Sequence, residues 1–149
     1  MQHALAQPVV VGAAILNDAQ HPTHLFAARR KAPKSLAGFW EFPGGKVEEN
    51  ESYTGGLRRE VLEELGVEIQ IHELLDAPTS TGWPLANGMN MHVYTAFIIS
   101  GEPQPLVEHD RLEWVPLIAQ ALHALQWIPA DRPILDELLR RLERSIPEG

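Results

Sequence analysis

Cysteine is absent from all 149 residues, which excludes a disulfide scaffold, a thiolate zinc site and a cysteine nucleophile. Basic residues are scarce beside acidic ones: 12 Lys and Arg stand against 20 Asp and Glu, a formal net charge of −8. That balance argues against wrapping a nucleic-acid polymer, because such proteins neutralise phosphates with clustered Lys and Arg. A small nucleotide carrying its own cation is compatible with it. Long apolar runs are also missing. Val9 to Leu16 is too short to cross a bilayer, and the first residues lack the basic and apolar pattern of a signal peptide, so no membrane partner and a cytoplasmic location are expected. The seven histidines show no His-Glu-x-x-His spacing, and Ser35, Ser52 and Ser80 lack a nucleophile-elbow context. No internal repeat or low-complexity tract is found.

What is present fits one domain over residues 1–149, since 44% hydrophobic content at this length can bury its own core. A monomer and a homodimer are both left open. Val9 to Leu16 and His24 to Arg30 read as neighbouring strands joined as a hairpin through Asn17 to Thr23. Lys31 to Gly38 reads as a loop, Val67 to Leu75 as a half-buried strand, Met89 to Ser100 as the longest strand and Glu113 to Pro116 as a short last one. Asp76 to Gly88 is a loop expected near the substrate or at an exposed turn. Pro129 to Arg144 carries a helical leucine pattern. Strands mixed with helices in this order predict an α/β fold.

The densest chemistry lies between Gly44 and Val67. On a helix, Glu60, Glu63 and Glu64 share about one third of the circumference while Leu57, Val61 and Leu65 gather on the other side. Three acids at that spacing repel one another and raise each other's pKa unless a counter-charge relieves them. A solvated acidic face is the ordinary reading of such a cluster. The adjoining glycines point to more: Gly44 and Gly45 allow a tight turn with positive φ and a close backbone approach, and a backbone carbonyl there can complete a metal shell. Hard oxygen donors without cysteine suit Mg²⁺, with Mn²⁺ as a substitute. Ser52 is the expected N-cap of the helix and Gly66 its stop. Gly55 and Gly56 are costly in its first turns, and close packing against a neighbouring strand is the expected reason. Lys46 is a phosphate contact or a plain surface lysine.

Gly45, five residues, Glu51, seven residues, then Arg59-Glu60-Val61-Leu62-Glu63-Glu64-Leu65-Gly66-Val67 resembles the Nudix box, with every specified position filled. The resemblance implies a Nudix-type α/β/α sandwich with a mixed central β-sheet, and Mg²⁺-dependent hydrolysis of a nucleoside diphosphate linked to another group. It also implies that Glu51 and Arg59 form an ion bridge bracing the loop against the helix, with Gly45 and Gly66 as structural positions. Glu41 to Lys46, Arg29-Arg30 and Trp127 to Pro133 are similar to the MutT-like nucleotide pyrophosphohydrolases. In that branch a residue matching Arg30 contacts the nucleotide, one matching Phe42 lines the base pocket, and one matching Glu108 serves as base or extra metal ligand. The implied metal set is Gly44, Glu60, Glu63, Glu64 and Glu108, with Glu63, Glu64 and Glu108 as catalytic carboxylates. His109 and Glu113 are fallback bases.

The MutT type reads its base with an Asn where this chain has Asp131. An ionised carboxylate accepts from guanine or 8-oxoguanine N1–H and N2–H₂, whereas cytosine needs a protonated acid or ring. Hydrogen-bond counting thus favours guanine, and the MutT resemblance implies 8-oxo-dGTP as the substrate, releasing nucleoside monophosphate and pyrophosphate. The surroundings of Asp131 also resemble relatives that hydrolyse CTP and 5-substituted dCTP, and both bases stay open. Asp131 equally fits a helix N-cap before Pro133. Trp83 and Trp127 are either base-stacking surfaces or core. A nucleotide sensor that does not cleave would be marked by lost box carboxylates, and all are present.

Overall fold

Alternation along the first strand sets the layers. The computed structural model describes residues 8–145; residues 1–7 and 146–149, the ends of the expected single domain, lie outside the described residues. In β1 (Val9–Ile15) Val11, Ala13 and Ile15 face one core while Ala14 and the following Leu16 face another. The first core is closed by α1 (Tyr53–Leu65) through Leu57, Val61 and Leu65, all fully buried. The second is closed by α2 (Ala119–His123) and α3 (Arg132–Ser145) through Leu122, Ile134, Leu135 and Leu138. Burying each such side chain is worth about 1.5–3 kcal/mol, so Leu57→Ala should cost about 2–5 kcal/mol.

The remaining strands are β2 (His24–Arg30), β3 (Trp40–Glu41), β4 (Gly44–Lys46), β5 (Glu68–Leu74), β6 (Trp83–Pro84), β7 (Asn90–Ser100) and β8 (His109–Pro116). A five-stranded mixed sheet runs β4-β1-β7-β5, with β6 also on β7; β1 and β7 are parallel and the other pairs antiparallel. Helices on both faces of this sheet make the α/β/α layering. A separate antiparallel sheet runs β3-β2-β8.

The expected β1–β2 hairpin does not form. Both edges of β1 are taken, by β7 and by the 43–46 segment, so β2 pairs with β3 and β8 instead. Only an isolated Leu16–Leu25 bridge remains, and the Asn17 side chain holds the turn by accepting from the N–H groups of Thr23 and His24 (both 2.9 Å). The last strand begins four residues earlier than expected, at His109, because β2 supplies a partner along its whole length. The leucine-patterned segment starts as a 3-10 turn, Pro129–Asp131, and continues as α3.

Candidate active site

Local sequence shapes α1 at both ends. Ser52 accepts a hydrogen bond from Gly55 N–H (3.0 Å), satisfying an orphan donor of the first turn. Gly66 ends the helix in the left-handed region at φ 75°. Gly56 is required by packing, though not against a strand as expected: a Cβ there would press on Glu51 Oε1 (3.0 Å) and Val47.

Gly44 and Gly45 do not make a tight turn. They are paired in β4 against β1, at Gly12 and Val11. A Cβ on Gly44 would overlap the Val11 carbonyl oxygen, and one on Gly45 would overlap the Glu60 carboxylate. The two glycines therefore form a thin wall with the helix carboxylates against one side. Glu64 accepts from Gly44 N–H through the wall (3.2 Å). The same two glycines also line a cavity of about 550 Å³, together with Arg30, Glu41, Phe42, Lys46 and Asp131 among polar and aromatic groups, and Leu36, Leu85, Met91 and Ile128 among apolar ones.

Arg59 does not point away from the acids. Its guanidinium donates to Glu51 Oε2 (2.6 Å) and Oε1 (3.0 Å), to Glu60 (3.2 Å), to Glu63 (3.3 Å) and to the Lys46 carbonyl (3.0 Å). The Glu51–Arg59 pair thus ties the loop to the helix, and Arg59 partly compensates two further box acids. Hydrogen bonds from Arg59 and from Glu48 N–H hold the Glu51 carboxyl down at about 2. Glu64, only 8% exposed, is pushed up to about 8 by burial and then by the negative charge of Glu41. Burial also raises Glu60, against the pull of Arg59.

The donors fit Mg²⁺ in kind, since all are hard oxygens, and the missing Cβ at Gly45 lets the Glu60 carboxylate lie against the loop. A cation beside Glu60 and Glu64 would also stabilise their charged forms, which burial disfavours. Among the described residues no three carboxylates converge as a ready-made cluster; Glu63 is exposed and turned toward Arg59.

At the cavity mouth Arg30, ending β2, is clamped between Glu41 Oε2 (3.0 Å) and Glu108 Oε1 (2.9 Å). The negative charge of Glu108 adds the smallest upward push on Glu60 and Glu64, after burial and nearer charges. Glu113 does not join them: it sits opposite Ala27 in the ladder, pairs with Arg111 (3.4 Å) and lies outside the cavity lining. His109 is buried, with Nε2 2.8 Å from Glu41 Oε2 and no exposure to a reacting water.

Asp131 is buried and accepts from Phe42 N–H (3.3 Å) across the cavity wall. Among the described residues it makes no hydrogen bond to the first turn of α3, so it does not act as the expected cap. Burial first and Glu41 second push its carboxyl up to about 8. Trp83 and Trp127 are core: both are buried outside the lining, Trp127 donating to Leu122 O (2.8 Å) and packing on Phe42 at 5.4 Å. Glu41 was not singled out in the sequence although it lies in the Glu41–Lys46 run. Its role shows only when Arg30, His109, Glu64 and Asp131 are seen around it. The 76–88 loop does reach the cavity, through Leu85, Ala86 and Asn87.

A model of the NUDIX domain matches residues 6–138. A Mycobacterium tuberculosis relative, provisionally named 8-oxo-dGTP diphosphatase 2, is 35% identical over 137 residues, 92% of each chain. The CTP pyrophosphohydrolase of Escherichia coli is 34% identical over 134 residues, 87% of this chain and 90% of its own. The solution structure of the E. coli ORF135 protein is similar at a TM-score of 0.73 and 31% identity, covering 99% of both chains. No helix among the described residues is long and apolar enough to cross a membrane.

Proposed function

The chain belongs to the Nudix hydrolase family, and from that premise we propose that it is a Mg²⁺-dependent nucleoside triphosphate pyrophosphohydrolase preferring an oxidised guanine nucleotide of the 8-oxo-dGTP type. The observation that carries this reading is the glycine strand, which touches the Glu60 and Glu64 carboxylates and also lines the cavity holding the buried Asp131. It supports a phosphate end beside the carboxylates and a base end at Asp131.

Glu60, Glu63, Glu64 and Glu108, with the Gly44 carbonyl, are the groups that would hold the cation. Bound Mg²⁺ supplies charge neutralisation at the phosphates and a more acidic water. Glu108, exposed at the mouth beside the box acids, takes the proton from the attacking water, with Glu63 or Glu64 as the alternative acceptor. Arg30 and Lys46 hold the nucleotide by charge. Water attacks phosphorus in line, the phosphoric anhydride bond breaks, and nucleoside monophosphate and pyrophosphate leave. The nucleotide-sized cavity supports a small-molecule partner, taken up by a monomer or a homodimer.

The state of Asp131 decides the base. Ionised, it accepts from guanine N1–H and N2–H₂; protonated, it accepts from N1–H and donates to O6. Guanine is therefore paired in either state, and cytosine N3 and N4–H₂ only by the neutral acid. Because Asp131 is pushed up to about 8, the neutral acid exists near pH 7, and this specific observation favours CTP or a 5-substituted dCTP as the second reading. The test is the kcat/KM ratio of CTP to 8-oxo-dGTP, in which effects common to both substrates cancel. Between pH 6.5 and 8.5 the neutral fraction of a group at about 8 falls about fourfold, and the ratio should fall with it. In Asp131→Asn, whose amide pairs with either base at any pH, the ratio should become flat. A pH-dependent ratio that survives in Asp131→Asn removes Asp131 from base reading.

A further inference from the structure

We propose that His109 is a positioning residue for the nucleotide-binding arginine, acting through Glu41. The inference rests on the reading of Arg30 as a nucleotide contact, and it adds a residue that touches neither substrate nor cation. His109 has no exposed side-chain surface. Its Nε2 lies 2.8 Å from Glu41 Oε2, the same oxygen that accepts from Arg30 Nη1 at 3.0 Å. A carboxylate oxygen can only accept, so Nε2 carries the proton. Nδ1 is buried with no partner among the described residues. His109 therefore donates from Nε2 alone, and that bond orients Glu41 beside Arg30.

The backbone is built to deliver this donor. Arg29 pairs with Arg111 and Arg30 with His109, so Asp110 is an extra residue bulged out of β8. Strict alternation would put His109 on the same side of β8 as the exposed Arg111. The bulge reverses the sides, leaving Asp110 outside in an ion pair with Arg29 (2.9 Å) and turning His109 inward. It also leaves Glu108 at the mouth, where Arg30 Nη2 reaches it at 2.9 Å. With Oε2 of Glu41 engaged by His109, Arg30 keeps one fixed orientation, its two nitrogens shared between two carboxylates and its Nε on the Ala32 carbonyl (2.9 Å).

The experiment compares His109→Leu, His109→Gln and His109→Asn with wild type. Gln places an amide donor near the position of Nε2, whereas the shorter Asn does not reach Glu41. The expected result is a KM for the preferred triphosphate at least tenfold higher in His109→Leu and His109→Asn, with kcat changed much less, and recovery to within threefold in His109→Gln. Thermal stability of the Leu variant should match or exceed wild type, because the orphaned Nδ1 is removed. In the substrate-free protein, the Nε–H resonance of Arg30 should be sharp and dispersed in wild type and His109→Gln and collapse toward the free-arginine position in His109→Leu and His109→Asn. Gln and Asn behaving alike, in KM or in the arginine resonance, overturns the proposal. Should wild type turn over no nucleoside triphosphate, the nucleotide reading fails, and the Arg30 resonance still decides the role of His109. If the Leu variant does not fold, the Gln and Asn pair decides alone.

Discussion

Removing the charge of Glu64 should make the metal-free protein more stable at alkaline pH, although that residue belongs to the proposed catalytic set. The carboxyl stands at about 8 in the folded chain against 4.5 in an exposed one. A raised carboxyl means the folded state binds more protons than the unfolded state between those values, so stability is full below 4.5 and is lost as pH rises toward 8. The whole displacement corresponds to a ceiling of about 4 kcal/mol lost at pH 8, and water entering a site beside an open cavity reduces the working figure to roughly 2 kcal/mol. Glu64→Gln keeps an oxygen for Gly44 N–H and cannot ionise. In EDTA at pH 8 it should melt about 4–8 °C above wild type, taking roughly 2 kcal/mol at this chain length, and within error of wild type at pH 4.5. Asp131 drifts in the same direction in both proteins, so the difference between them isolates Glu64. Mg²⁺ at pH 8 should raise the wild type and leave Glu64→Gln nearly unmoved. The same melting temperature for both proteins in EDTA across pH 4.5–8 would refute the electrostatic account.

Gly45→Ala pushes a methyl into the Glu60 carboxylate, the end of a flexible side chain; kcat should fall at least about 100-fold with a small change in melting temperature, as expected when a catalytic constellation is misplaced by about 1 Å. Gly44→Ala meets the Val11 backbone carbonyl instead, so soluble yield and melting temperature should drop together. For Glu51 the sign is opposite to that of Glu64: its pairing with Arg59 is complete above 4.5 and is lost as pH falls through about 2. A ¹³C titration of its carboxyl should show a midpoint at about 2 in wild type and one well above that in Arg59→Gln; an unchanged midpoint would show that Arg59 does not hold it.

Residues whose role depends on near neighbours were legible in the sequence. Ser52, Gly66 and the Leu57–Val61–Leu65 stripe act within one helix, and helical spacing alone located them. The mixed α/β layering followed from strand and helix order together with the box resemblance. Residues whose role depends on distant partners were not legible. A helical wheel places Arg59 off the acid face because it fixes only the direction of Cα–Cβ, while the long guanidinium curls back to reach Glu60 and Glu63. Glu41 draws its importance from residues in β2, β8 and the 3-10 turn before α3, far from it in sequence. The Asp110 bulge breaks the period-two pattern, so the pattern shows a strand only from Glu113 onward, and His109 could only be noted as a candidate base. The hairpin expectation failed because pairing of adjacent strands is a local preference, overridden once β7 and the glycine strand occupied both edges of β1.

Product identity is the most direct test of the central claim. Wild-type protein is incubated with Mg²⁺ and, separately, 8-oxo-dGTP, dGTP, CTP, 5-methyl-dCTP, ADP-ribose and diadenosine polyphosphate, and the products are resolved by ³¹P NMR. The expected products from a triphosphate are nucleoside monophosphate and pyrophosphate in equal amounts, abolished by EDTA and by Glu64→Gln. Orthophosphate and a nucleoside diphosphate, or binding without turnover of any compound, would contradict the claim.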